Sequence, residues 1–407
     1  MHRKLFIIGS SLNYGSPGKI SENIGILAKE DGWQVYQAYG LKYSNPSQLI
    51  AHPVSSKMEE YFHTIYSFLL DSHGLASVPA TKKLVKWLDC LKPDIIHLHN
   101  LHGYYLNYKI LFDYLSMLNT PIVWTLHDFW PITGHCAHFD YVGCTKWKEQ
   151  CCHCIQRNTY PRSIFLDRSS RNYNIKKIAF TSVKDMTIVP VSKWVGSLVK
   201  QSFLGKYPIY PIYNGVDTDI FKPIKDDLRE SLELQDKFVL IGIASPWYAL
   251  KGLNDYLELS KRLPSNFQII MIGLSKKQLS EIRRKTKNII GVEKIKNQKE
   301  LVGYYNMADV VLNLSYQETF GMTTVEGLSC GTPSIVYDKT ASPELVSQDT
   351  GIVVRAGDID SLLEAVYDMY KKGKKSYSIA CRERAESLFN KKNQFEKYIE
   401  LYNRLLR

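Results

Sequence analysis

The sequence has no apolar run approaching the ~20 residues that a helix needs to cross a bilayer. The basic start MHRK is followed only by Leu5–Ile8, which is strand length, so it reads as a first buried strand and not as a signal peptide. A cytoplasmic protein is expected. No loop has the glycine spacing of a dinucleotide or P-loop fingerprint. No D-x-D motif ends a strand, so no catalytic metal is expected. At 407 residues the chain exceeds one ordinary core, and two domains are expected.

What is present is positive charge, aromatic residues and a cysteine cluster. The net charge is +12, and between Lys146 and Lys206 twelve Lys or Arg stand against three Asp or Glu. Such a segment attracts phosphates, nucleic acid or an anionic membrane face. Of eight cysteines, five lie between Cys136 and Cys154. In a reducing cytoplasm that clustering points to a metal before disulfides. Cys136, Cys144, Cys151 and Cys154 are the candidate ligands of a structural zinc, because the C-x2-C end is a common zinc half-site. Cys152 or His153 is a substitute ligand, and disulfides or four unligated thiols are the alternatives. The surrounding insertion is short of aliphatic residues, which would give a metal a reason to order it.

The richest stretch runs from Leu312 to Pro333, LNLSYQETFGMTTVEGLSCGTP. Val310–Leu314 reads as a buried parallel strand, Thr323–Ser329 as the first turns of a helix, and Gly331 as its C-terminal cap. In such strand–loop–helix units ligands bind beyond the carboxyl ends of the strands. Gly321 lets a ligand approach the backbone. The N–H groups of Met322, Thr323 and Thr324 at the helix start suit a phosphate. Glu318 and Glu326 suit sugar hydroxyls. A diphosphate with a sugar on one side and a ribose on the other satisfies all of these groups, which describes a nucleotide-sugar.

The Glu318-x7-Glu326 spacing, with EGLSCGTPSIV around it, resembles the E-x7-E element of the retaining glycosyltransferases of family 4. The resemblance covers nearly the whole chain and is nearest to the bacterial colanic-acid and capsular subgroup, which has a similar insertion (TGHCAHFDYVGC, then CCHC). It implies the GT-B fold: α/β, with two Rossmann-like doubly wound domains facing a central cleft. It implies that Glu318 and nearby amides hold the donor sugar and that Glu326 holds the ribose. It gives Lys251 the neutralisation of the donor diphosphate, and His127, in T-L-H-D, a contact with the donor sugar and phosphate. The family's arginine six places before that lysine is Ser245 here, so the source of a second positive charge is open.

Along the chain, a glycine-bearing loop after the first strand precedes a helix expected over Ile20–Glu30. Gly15, Gly18 and Lys19 are donor-binding candidates there, and a plain tight turn is the other reading. A strand over Asp94–Asn100 brings His97, His99 and His102 together, but no carboxylate is spaced to complete a metal site. His99, His102 and Asp128 are placed on the acceptor side. Strands are expected at Thr187–Ser192 and Ile209–Tyr213. The expected domains are 1–215, with the Cys-rich insertion at 129–167, and 216–390. The helix of 391–407 is expected to cross back to the first domain, because Phe395, Tyr398, Ile399, Tyr402 and Leu405 share one face.

The expected activity is therefore retaining, metal-independent transfer of a sugar from a UDP- or GDP-sugar to a saccharide acceptor. That acceptor is expected to be lipid-linked, in bacterial surface polysaccharide biosynthesis, and the protein to be peripheral on the inner face of the cytoplasmic membrane. A nucleotide-sugar 2-epimerase on the same fold is the first alternative. A nucleic-acid-binding zinc module is the second, and it would leave residues 215–355 without a role, so no nucleic-acid partner is expected.

Overall fold

A computed structural model describes residues 3–225 and 227–407. The chain forms two compact units, Met1–Tyr213 with Phe395–Arg407, and Asn214–Gln394.

In the first unit the strands are β1 (Lys4–Gly9), β2 (Gln34–Tyr39), β3 (Ile50–Pro53), β4 (Ile95–Leu98), β5 (Ile122–Leu126) and β6 (Met186–Pro190). They form one sheet in the order β3-β2-β1-β4-β5-β6, parallel throughout. Its helices are α1 (Gly15–Glu30), α2 (Lys57–Leu70), α3 (Val78–Leu91), α4 (Tyr108–Leu115), α5 (Ser169–Phe180) and α6 (Lys193–Lys200). β1, β4 and β5 are mostly apolar and, after Lys4, buried throughout, as a sheet covered on both faces requires.

The second unit repeats the plan. Its helices are α7 (Leu228–Ser231), α8 (Leu253–Arg262), α9 (Lys276–Lys285), α10 (Gln298–Met307), α11 (Met322–Ser329), α12 (Ile359–Lys372) and α13 (Lys375–Phe389). The strands β7 (Phe238–Ile243), β8 (Phe267–Ile272), β9 (Ile289–Val292), β10 (Val310–Asn313), β11 (Ser334–Tyr337) and β12 (Gly351–Val354) form a parallel sheet in the order β12-β11-β10-β7-β8-β9. In both sheets the chain winds outward from its first strand in one direction and then in the other. Each sheet therefore has a switch point, between β1 and β4 and between β7 and β10, where ligands bind in this architecture.

The last helix, α14 (Lys391–Leu405), contributes its apolar face to the first unit. Phe395, Tyr398, Ile399 and Tyr402 are buried in the core with Leu5, Ile7, Ile24 and Val35, and Leu405 packs partly buried beside them. Fully burying side chains of this size is worth about 1.5–3 kcal/mol each, as an upper bound. Polar ties fix the register. The Tyr402 hydroxyl and His97 Nδ1 lie 2.7 Å apart, His97 Nε2 is 2.8 Å from Thr125 Oγ1, and that hydroxyl donates to the Tyr398 oxygen at 3.1 Å.

Two expectations change, and one strand was not anticipated. Residues 209–213 do not form a ladder strand; Ile209 makes one isolated bridge to Ile188, and Pro190 and Pro208 bring no N–H to extend it. β3, an exposed edge strand ending in proline, gave no recognisable pattern. α1 begins at Gly15 and not at Ile20, with Pro17 tolerated in the first turn. α14 starts at Lys391, where the C-terminal helix was expected to start, and Asn390 before it bridges to Val216.

The insertion after β5 also differs from expectation. It has a core of its own, with Phe129, Trp130, Ile132, Phe139 and Trp147 all buried and the rings of Phe139 and Trp147 stacked at 4.7 Å. Two polar anchors tie it down. His135 Nδ1 meets Asp71 Oδ1 at 2.6 Å, and the buried Lys176 ammonium donates to the carbonyls of Trp130 and Thr133 at 2.7 and 3.0 Å. Aromatic packing thus contributes to the order of the insertion.

Candidate active site

At the switch point of the second unit, the chain leaves β7 toward Lys251 and leaves β10 toward Glu318. Two features bring these loops together. Gly252 has φ +74°, and a Cβ on it would sit 2.3 Å from the Leu314 carbonyl oxygen, so only glycine permits this approach. The Tyr316 N–H donates to the Leu250 carbonyl at 2.9 Å. Lys251 Nζ then donates to Glu318 Oε1 at 2.5 Å, with both side chains mostly buried. Burial pushes the ammonium toward its neutral form, but the Glu318 charge and hydrogen bond outweigh it, and the Lys251 pKa is raised. A cation and a carboxylate therefore hold each other in place, the first suited to a diphosphate and the second to sugar hydroxyls.

Gly321 caps α11 at φ +115°, and a Cβ there would press on Leu345 Cδ1 at 2.9 Å. The helix opens with Met322, Thr323 and Thr324. Of their three amides, that of Thr324 is already bonded to the Gly321 carbonyl at 3.1 Å, which corrects the expectation of three open donors. Met322 and Thr323 stand in the turn where a helix has no internal acceptor to offer. The Thr324 side chain is held from β10 by Asn313 Nδ2 at 3.0 Å. Glu326 accepts a hydrogen bond from the Tyr305 hydroxyl of α10 at 2.7 Å. Tyr305 and Asn313 were not found from the sequence, because each looks like an ordinary core position. Ser245 lies just past β7 and brings no charge to the place where the family arginine would stand.

In the first unit the carboxyl ends of β4 and β5 carry the histidines. His99 Nδ1 and His127 Nε2 are 3.0 Å apart, so one of the two rings donates and the other accepts. Burial lowers the His127 pKa to about 4, despite the neighbouring Asp128, and both rings are neutral at neutral pH. His102 bridges two partners, with Nε2 2.6 Å from Asp128 Oδ2 and Nδ1 2.8 Å from the Tyr160 hydroxyl. Burial raises the Asp128 carboxyl, but His102 and the Trp130 N–H outweigh it and leave its pKa near 2. Tyr160 comes from the insertion and joins this chain without any sequence signal. His97 belongs to the α14 contact and not to a ligand site.

Gly15, Gly18 and Lys19 do not form a loop cradle. All three lie within the first turns of α1, where Gly18 packs on Ser11 and Lys19 is exposed.

The four candidate zinc ligands lie close together. Cys136, Cys144, Cys151 and Cys154 do line one cavity with His135 and Trp147, but its volume is only about 20 Å³. Among the described residues no three His, Cys, Asp or Glu side chains are placed to hold a metal ion. The thiols interact with one another: Cys136 donates to Cys154, raising the first pKa and lowering the second.

Among the described residues no helix is long and apolar enough to cross a membrane. Residues 46–220 match Glycosyltransferase Family 4, and residues 224–386 match Glycosyl transferases group 1. The chain is 24% identical over 322 residues to a putative colanic acid biosynthesis glycosyl transferase, WcaC, of Escherichia coli K12, covering 77% of each chain. In fold it is similar to sucrose-phosphate synthase of Thermosynechococcus elongatus, with a TM-score of 0.70, 16% identity and 99% of each chain covered. It is also similar to HepE of Anabaena, solved in complex with UDP, with a TM-score of 0.67, 15% identity, and 98% and 99% covered. With both of its parallel-sheet units matched, the chain belongs to the family 4 and group 1 glycosyltransferases, and it is a glycosyltransferase of the GT-B fold.

Proposed function

We propose that this glycosyltransferase moves a sugar, with retention of anomeric configuration, from a UDP- or GDP-sugar to a lipid-linked saccharide in the synthesis of a bacterial surface polysaccharide. The observation that carries the reading is the Lys251–Glu318 pair beside the α11 N-terminus, with Glu326 held by Tyr305. The donor diphosphate takes the Lys251 ammonium and the first-turn amides of Met322 and Thr323. Glu318 binds the hydroxyls of the transferred sugar, and Glu326 binds the ribose. The UDP held by HepE and the colanic acid role in the name of the Escherichia coli relative favour such a donor and such a product. An anionic membrane surface, where a lipid-linked acceptor resides, is the second partner.

As the bond from the anomeric carbon to the phosphate oxygen breaks, negative charge grows on the diphosphate. Lys251 stabilises it without a metal. The acceptor hydroxyl attacks from the face that the phosphate leaves, its oxygen bonds to the anomeric carbon, and its proton passes to the departing phosphate oxygen. The products are the lengthened saccharide and the nucleoside diphosphate. His127, neutral and fixed by His99, donates or accepts a hydrogen bond at the donor sugar without adding charge. His99, His102 and Asp128 serve the acceptor side.

The test is a panel of nucleotide-sugars screened by thermal stabilisation, since a ligand that binds only the folded state raises its stability. The donor that stabilises is then incubated alone and with acceptor. Nucleoside diphosphate release that depends on acceptor supports the transferase. An epimerised sugar formed from donor alone would replace it with the 2-epimerase.

A further inference from the structure

Helix α2 is folded with its polarity inverted. Its buried residues are Glu60, His63 and Ser67. The Glu60 carboxylate accepts from the Leu41 and Lys42 amides at 2.6 and 3.1 Å. His63 Nδ1 lies 2.8 Å from Ser77 Oγ, and its Nε2 accepts from the Gly74 N–H at 3.1 Å. Met58, Tyr61, Phe62, Ile65, Tyr66 and Leu69 are instead exposed, by 38 to 68%. Their spacing of three and four makes them a single stripe along the helix. On a solvated helix that stripe faces the core, so its outward placement marks an interaction surface.

The stripe is extended by the insertion. The Ile164 N–H donates to the Phe68 carbonyl at 3.0 Å, which lays that segment along α2. Phe165, next in the chain, is 68% exposed. On the other flank a shallow groove of about 490 Å³ separates α2 from the start of α3, with Ala76 and Pro79 on its far wall.

The charges around this face identify its occupant. Lys57 opens the helix, and the Arg162 guanidinium stands 5.6 Å from the Phe68 ring. Arg168 and Arg171 each reach Ser72 Oγ at 3.5 Å, just beyond the helix end. Two acids stand by this face: Glu59 is engaged in the capping box with Ser56 and in the field of Lys83, and the exposed Asp167 accepts from the Cys154 and Ser169 N–H groups and the Ser169 hydroxyl. An apolar and aromatic stripe edged by Lys and Arg is the pattern of a helix that lies in the plane of a bilayer surface, rings at headgroup level and cations on lipid phosphates. A second copy of this face would bring cation against cation, which disfavours self-pairing.

We infer that α2, with the insertion segment 162–171, docks the first unit onto an anionic lipid bilayer. For its purpose the inference rests on the proposed membrane-borne acceptor. It narrows the attraction of the basic Lys146–Lys206 segment to residues 162–171, since Lys176 is buried and Lys146 and Lys206 are engaged with backbone carbonyls.

The experiment is co-sedimentation of the full chain with vesicles of phosphatidylcholine alone or mixed with phosphatidylglycerol. One variant combines Phe62→Glu with Ile65→Glu, and another combines Arg162→Glu with Arg171→Glu. All four positions are exposed, and melting curves check that each variant folds. The wild-type chain should pellet with the anionic vesicles. The apolar-face variant should bind them at least about tenfold less. The arginine variant should lose the preference for phosphatidylglycerol. A wild-type chain that stays in the supernatant, or variants that pellet like it, would overturn the inference. So would a wild-type dimer, seen by light scattering, that Phe62→Glu with Ile65→Glu makes monomeric. Nucleotide-sugar thermal shifts on the same samples separate the two readings: shifts retained without vesicle binding defeat only the docking, and vesicle binding without shifts defeats only the transferase.

Discussion

Lys251 and Glu318, 67 positions apart in the chain, are joined by a 2.5 Å hydrogen-bonded ion pair across the switch point of the second sheet. Each holds the other in place before any ligand arrives, and preorganisation of this kind lets a site stabilise developing charge without rearranging. Lys251→Ala should therefore lower kcat by about ten- to a hundredfold, the scale of a lost hydrogen bond to a charged group, and raise the donor KM much less. Steady-state kinetics in both substrates measure this. A raised KM with unchanged kcat would reduce Lys251 to a binding residue.

Tyr305→Phe removes only the hydroxyl that donates to Glu326. The expected result is weaker donor binding, roughly tenfold by calorimetry with the nucleoside diphosphate, and little change in kcat. Glu326→Ala should weaken binding at least as much. If Tyr305→Phe binds as tightly as the parent, Glu326 does not need positioning.

The buried histidines set an acid limit on stability. Burial holds His63 and His97 near a pKa of 3 and His127 near 4, and puts His73 and His99 well below the ordinary 6.5. These rings are neutral in the folded chain and take up protons on unfolding. Stability is therefore fully present above about pH 6.5 and falls as the pH drops toward 4. Glu60, whose pKa burial raises, opposes this as a single group. Several such groups together lower Tm on the order of 10 °C across that window. A flat Tm between pH 7 and 4.5, followed by calorimetry, would contradict the assignment.

Cys154 should be the first cysteine of the insertion to react with iodoacetamide at neutral pH. The Cys136 thiol donates to it and favours its thiolate, while Cys136 itself is held protonated. Peptide mapping after short labelling reads the order. Equal protection of all four cysteines, released by a chelator, would show that a metal holds them instead.

Much of the framework was legible because parallel strands covered on both faces are written as unbroken apolar runs. The run read at Val310–Leu314 is β10, Val310–Asn313, in the structure. The stretch around α11 was legible because glycine at positive φ, a helix start and two carboxylates at fixed spacing leave few arrangements open. Partners contributed from elsewhere were not. Nothing distinguishes the Tyr305 hydroxyl from a core aromatic until its distance to Glu326 is known, and Tyr160 meets His102 across 58 positions. Counting aliphatic residues missed the core of the insertion, because its packing is aromatic. The stripe on α2 misleads in the opposite sense, since an amphipathic pattern does not say which face is inside.

The placement of α14 bears on how the chain is made. Phe395, Tyr398 and Tyr402 fill the core that Leu5 and Ile7 begin. A ribosome therefore delivers the last wall of the first unit only after the whole of the second has emerged. Until then the nascent first unit exposes the apolar floor under α14, and His97 and Thr125 lack their tyrosine partners. A domain with such distant closing contacts cannot finish folding vectorially, and that interval is when chaperone capture or aggregation competes with completion.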